Sequence, residues 1–92
     1  MTTNGSVPRV RVEFYGLARL RAGRPALEVE AATVGEALRA ADAALPALGS
    51  VRDGRLSPEY LVTTNARGFT PDLTQVVTGS GILLVFGADA GG

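Results

Sequence analysis

The chain has 92 residues, enough for one domain and too few for two. Nine basic and nine acidic side chains cancel, so it lacks the basic surplus with which a nucleic-acid binder releases counterions from phosphates. There is no Cys and no His, and every basic residue is Arg, which removes thiolate and imidazole nucleophiles, zinc–thiolate and iron–sulfur sites, and Schiff-base chemistry.

Residues 1–7 are polar, with no basic start and no apolar stretch, and read as a flexible tail rather than a signal peptide. No apolar run approaches the roughly 20 residues that span a bilayer, and cytoplasm is the expected location. From Arg9 the pattern alternates strictly. Val10, Val12 and Phe14 fall on one side and Arg11, Glu13 and Tyr15 on the other, as in a half-buried strand. Gly16 opens a turn region that Gly23-Arg24-Pro25 closes. A second alternating segment follows, with Leu27, Val29 and Ala31 facing in and Glu28 and Glu30 facing out. The two segments predict a hairpin with a long loop, its wet face pairing Arg9, Arg11 and Glu13 with Glu28 and Glu30.

The period then changes from two to 3.6. Thr33-Val34-Gly35-Glu36 is a capping box. The Thr33 hydroxyl accepts from the Glu36 N–H, and the Glu36 carboxylate bonds back to the N–H of Thr33. Val34, Leu38, Ala41 and Leu45 make one apolar stripe, Glu36, Arg39 and Asp42 point elsewhere, and Pro46 stops the helix. Residues 47–59 carry weak signals and predict a surface loop, with at most one short helical turn. Tyr60 to Thr64 predicts a third strand. Asn65-Ala66-Arg67-Gly68 supplies turn chemistry, Phe69 begins a short fourth strand, and Thr70-Pro71-Asp72-Leu73 makes a helical turn or bend. After the turn Thr78-Gly79-Ser80-Gly81, Ile82-Leu83-Leu84-Val85-Phe86 is apolar on both sides, the pattern of a central strand. Residues 87–92 have no periodicity and read as a second flexible tail, leaving 8–86 as the domain.

This order places the last strand beside the first and parallel to it, with a helix across one face. The expected fold is therefore α+β: a β-grasp, ubiquitin-like, with a mixed sheet of four to five strands and one main helix packed on one face.

The chain resembles the MoaD/ThiS family of ubiquitin-like sulfur carriers over about Val10 to Gly92, and MoaD-like members more than the shorter ThiS type. Three places carry the resemblance: Val10-Arg11-Val12-Glu13-Phe14-Tyr15-Gly16 leading to Leu20-Arg21, then Ala32-Thr33-Val34-Gly35-Glu36-Ala37-Leu38, and the terminal Gly91-Gly92 after a hydrophobic strand. It implies a carrier without catalytic side chains of its own, no bound cofactor, and a reacting group at the carboxylate of Gly92. In such carriers a partner activating enzyme uses ATP to form an acyl-adenylate on the last glycine. Sulfur displaces AMP, and the resulting thiocarboxylate donates sulfur to a substrate held by a synthase or large subunit. Phe86, Gly87, Ala88, Asp89, Ala90 and Gly91 would then be the segment that partners hold.

The chemistry agrees with that implication. A terminal carboxylate is an anion near neutral pH and a poor electrophile until it is activated. Gly91 and Gly92 lack a Cβ, so they can approach a surface closely and enter a narrow channel. A chain with neither Lys nor Cys offers its own adenylate no acceptor side chain. Two terminal glycines arise by chance in about 0.5% of chains of average composition, so with the β-grasp order upstream the terminus reads as functional.

Three functions stay open. One is a sulfur carrier, for which molybdopterin synthesis is the leading destination and thiamin, cysteine or a sulfur-containing natural product are others. The second is a protein modifier joined through Gly92 to target lysines, and the third is a β-grasp interaction module with idle glycines. Gly16, Gly79 and Gly81 read as turn glycines in preference to a phosphate cradle. Arg19, Arg21 and Arg24 read as a solvated loop or as a dock for an acidic surface, and Phe86 as core or as an exposed patch.

Overall fold

The computed structural model describes residues 8–64, 72–77 and 81–88. The strand expected at Phe69, the turns expected at 65–68 and 78–80, and the tails expected before residue 8 and beyond residue 88 lie outside them. Strand β1 (Arg9–Tyr15) is followed by helix α1 (Leu17–Ala22), β2 (Ala26–Glu30), helix α2 (Val34–Ala44), β3 (Val51–Arg52), β4 (Arg55–Leu56), β5 (Tyr60–Thr64) and β6 (Ile82–Gly87).

β2, β1, β6 and β5 form one sheet in that order. β1 and β2 pair antiparallel, with Arg9 opposite Glu30 and Arg11 opposite Glu28. β6 lies between β1, to which it is parallel, and β5, to which it is antiparallel. The inward residues Val10, Val12, Phe14, Leu83 and Val85 are buried, and Val34, Ala37, Leu38 and Ala41 of α2 complete the core with them. The alternation and the helical stripe thus land on the faces expected of them. β6 is central in the sheet, but only one of its faces is fully covered. Leu83 and Val85 are buried while Ile82, Leu84 and Phe86 are half-buried. β6 takes the central place that its apolar run predicts, and its second face carries the half-buried Ile82, Leu84 and Phe86 beside the exposed Tyr15 and Leu61.

The expected long loop between β1 and β2 contains a helix. Ala18-Arg19-Leu20-Arg21-Ala22 is built of good helix formers, and Ala18 and Ala22, one turn apart, are both buried. Gly23 ends it in the left-handed region, at φ 74, its N–H bonded to the Arg19 carbonyl. The expected surface loop at 47–59 contains a hairpin, β3–β4, turning on Asp53 and Gly54 at φ 53 and 74. An Asp-Gly pair with both residues at positive φ is a two-residue hairpin turn. Leu48, Ser50 and Ser57 beside it are fully or almost fully buried.

The start of α2 follows the capping box with one shift. Thr33 Oγ1 accepts from Glu36 N at 3.1 Å, but the Glu36 carboxylate takes the N–H of Ala32, not that of Thr33. The 72–77 segment runs against this end. Val34 N donates to the Gln75 carbonyl, Gly35 N to Leu73 and Val77 N to Ala32. At Asp72 the predicted bend is an Asx turn, with Asp72 Oδ1 accepting from the Thr74 amide and hydroxyl. Asp42, expected to point away from the apolar stripe, turns toward the hairpin. Its carboxylate accepts from the Ser50 N–H and hydroxyl and from the Val51 N–H at 2.8–3.0 Å.

Candidate functional site

The predicted site residues Phe86, Gly87 and Ala88 form the point where the chain leaves the sheet, while Asp89, Ala90, Gly91 and Gly92 lie outside the described residues. Gly87 is the last residue paired with β5, opposite Tyr60. The ladder continues one residue further, because Ala88 N donates to the Glu59 carbonyl at 2.7 Å. The exit direction is therefore set by backbone hydrogen bonds on β5.

Gly87 also lies against the turn after β1. A Cβ there would stand 2.8 Å from the Leu17 Cβ and 3.2 Å from its N. Gly16, at φ 58 and ψ −129, occupies backbone space that only glycine enters readily and starts α1 directly beside the exit. Leu17 and Gly16 were not legible as site residues. They meet Gly87 only because β1 and β6 are parallel neighbours.

On the outer face of the sheet Tyr15, Phe86 and Leu61 stand in one row across β1, β6 and β5. The Tyr15 and Phe86 rings stack, with centroids 5.1 Å apart and planes 18° from parallel. Tyr15 and Leu61 are among the exposed large hydrophobics, so Phe86 belongs to a surface row and not to the core. Leu84 extends the patch by one register position, between Glu13 and Thr63. Tyr15 OH donates to Glu13 Oε1 and Arg11 Nε to Glu13 Oε2. These two bonds, the tyrosine's first, hold the Glu13 carboxyl below its ordinary range, and the same bond raises the Tyr15 phenol.

An ionic cluster closes the other side of the exit. Arg21 of α1 grips the Glu59 carboxylate and also donates to the Tyr60 hydroxyl at 3.3 Å, while Arg52 stands 3.6 Å from Glu59. The bond from Arg21 lowers the Glu59 carboxyl, and the arginine is raised in return. Tyr60 OH donates in turn to the Leu48 carbonyl. Residue 59 thus does two things: its carbonyl holds the tail root and its side chain ties α1 to the β3–β4 hairpin.

The alternatives to a tail site weaken on this geometry. The amides of Val34 and Gly35 at the start of α2 are taken by backbone carbonyls. Gly81, at φ 65, packs against the Arg9 carbonyl and serves as a turn. Among the described residues no group of three or more acidic side chains is placed to hold a metal ion, and no helix is long and apolar enough to cross a membrane.

No protein-family profile and no curated protein sequence matches the chain. Solved structures do. The chain superposes on SAMP1 from Haloferax volcanii with a TM-score of 0.76 at 28% identity, covering 91% of this chain and 99% of that one. A second structure, of the H. volcanii small archaeal modifier protein 1, gives 0.72 at 27% identity over 87% of this chain and 97% of that one. SAMP1 from Methanosarcina acetivorans gives 0.75 over 96% and 100% at 19% identity, a likeness of fold alone.

The chain is a ubiquitin-like β-grasp. Within that β-grasp, β6 delivers the C-terminal segment from the centre of the sheet, and the apolar row and the ionic cluster flank its exit.

Proposed function

We propose that the protein is a carrier that works through the carboxylate of Gly92. The observation that supports this most is the exit at Gly87 and Ala88, paired with Tyr60, hydrogen-bonded to Glu59 and packed on Leu17, from which Asp89 and Ala90 lead to Gly91-Gly92. A partner enzyme adenylates Gly92: a carboxylate oxygen attacks the α-phosphorus of ATP, and pyrophosphate leaves. A sulfur nucleophile then attacks the acyl carbon and expels AMP, leaving a thiocarboxylate. The domain supplies a rigid handle, and the Tyr15, Phe86 and Leu61 row supplies apolar area for the partner beside the tail. The protein acts in the cytoplasm and passes its sulfur to a substrate bound by a second protein. A molybdopterin precursor is the leading candidate, by the resemblance to MoaD-like carriers.

A second reading has specific support, since solved structures with this fold at 27–28% identity are named modifier proteins. In it the activated Gly92 is joined to lysines of other proteins. Both readings share the adenylation step. Intact-protein mass spectrometry after incubation with an adenylating enzyme, ATP and sulfide tests that step. Replacement of one oxygen by sulfur, lost when Gly92 is deleted, establishes the carrier, and high-mass conjugates in lysate establish the modifier. If neither forms and no adenylate is trapped, the terminus is idle and the domain is an interaction module.

A further inference from the structure

The basic cluster Arg19, Arg21 and Arg24 is not absorbed by the tail site. Residues 16–25 contain these three arginines and no acid. The structure separates their roles. Arg21 is engaged by Glu59, whereas Arg19 and Arg24 form no ion pair among the described residues. Arg24 donates its Nε to the Ala26 carbonyl.

Between them stands Leu20, which is 79% exposed, more than any other exposed large hydrophobic among the described residues. It lies in a groove lined by Gly16, Arg19, Leu20, Gly23, Arg24 and Pro25. One exposed leucine is ordinary on a protein surface. This one shares its groove with two guanidinium groups that have no carboxylate partner among the described residues, on a helix whose first residue is packed against the tail root. The close approach of Gly87 to Leu17 fixes the groove relative to the exit.

We propose that this groove is where the activating partner grips the domain: an apolar recess receives Leu20, and carboxylates on its rim pair with Arg19 and Arg24. The inference rests on the reading of Gly92 as the reacting group. Guanidinium groups match carboxylates as two-pronged donors, and an apolar anchor inside a charged rim is the usual anatomy of a protein contact. Nucleic acid fits less well, because two available cations on a chain of zero net charge displace few counterions. The patch complements a protein surface that is acidic and locally hollow.

The test is ATP–pyrophosphate exchange by the adenylating enzyme, measured against the concentration of this chain. The variants are Arg19→Glu/Arg24→Glu, Leu20→Ser and, as a control of equal charge change away from the groove, Arg39→Glu/Arg55→Glu. The double charge reversal raises KM about tenfold and leaves kcat within about twofold, because rim charges govern encounter and binding but not chemistry. Leu20→Ser raises KM by about fivefold or more, and added salt raises the wild-type KM but not that of the double variant. Unchanged KM in both groove variants overturns the proposal, as does an equal rise for Arg39→Glu/Arg55→Glu, which would make the effect one of net charge. Unchanged KM together with oligonucleotide binding that the double variant abolishes assigns the groove to nucleic acid and also overturns it. Absence of Gly92-dependent exchange in the wild type is a different failure, that of the carrier reading itself.

Discussion

Gly87 and Leu17 are packed so closely that a single added methyl group on Gly87 would stand 2.8 Å from the Leu17 Cβ. That contact joins the end of the last strand to the start of α1. Because the obstacle is the root of a side chain and adjoining backbone, it cannot swing aside. Gly87→Ala should destabilise the domain by about 1–3 kcal/mol through overpacking. Urea unfolding measures it, and a wild-type midpoint would show that the two elements are free to part.

Phe86 and Leu83 lie on opposite faces of β6, and their truncations should differ. Leu83 is fully buried, so Leu83→Ala should cost about 2–5 kcal/mol. Phe86→Ala loses a stacked ring on an open face and should cost only about 1–2 kcal/mol. Equal losses in denaturant titrations would place Phe86 in the core.

Asp42 caps three donors of the 50–51 backbone and side chain, and Ser50 is fully buried. Asp42→Ala strands two amides and should cost about 2–4 kcal/mol, with the β3–β4 hairpin loosened first. Faster amide exchange at Ser50 and Val51, with the β1–β6 amides unchanged, is the signature to look for.

The acid side of the stability curve should carry Glu59. Its folded carboxyl lies below the ordinary value of 4.5 because Arg21 bonds to it. A depressed folded pKa contributes stability that is present above about 4.5 and is lost as pH falls through the folded value. Glu13, lowered by Tyr15 and Arg11, acts in the same direction. Glu59→Gln should therefore flatten the loss of stability below about pH 4.5. Thermal melts from neutral to acid pH decide it, and an unchanged slope would mean that the pair is broken in solution.

At the terminus, Gly92→Val would put a branched side chain beside the carbon proposed to react. Adenylation should fall below detection while the melting temperature stays that of wild type. A normal exchange rate would remove Gly92 from the chemistry.

Local patterns carried much of this protein by themselves. The alternation around Val12, the cap at Thr33 and the apolar run from Ile82 were legible because strands, helix starts and buried segments each leave a short-range period or a paired signature. The proposal for Gly92 rests on an equally local feature, a pair of glycines that needs no partner to be recognised. Asp53-Gly54 was an equally local hairpin signal, although strands of two residues gave it no flanking alternation. α1, six residues between two glycines, was too short to show a period. What lies around the tail root had no such trace. Tyr15 against Phe86, Leu17 against Gly87 and Arg21 against Glu59 are contacts between residues far apart in the chain, and the open outer face of β6 follows from which layers the fold supplies. Composition and periodicity determined the elements. Only the parallel pairing of β1 with β6 decided which side chains surround the tail root at Gly87, because contact across a sheet depends on strand order and register rather than on neighbouring sequence.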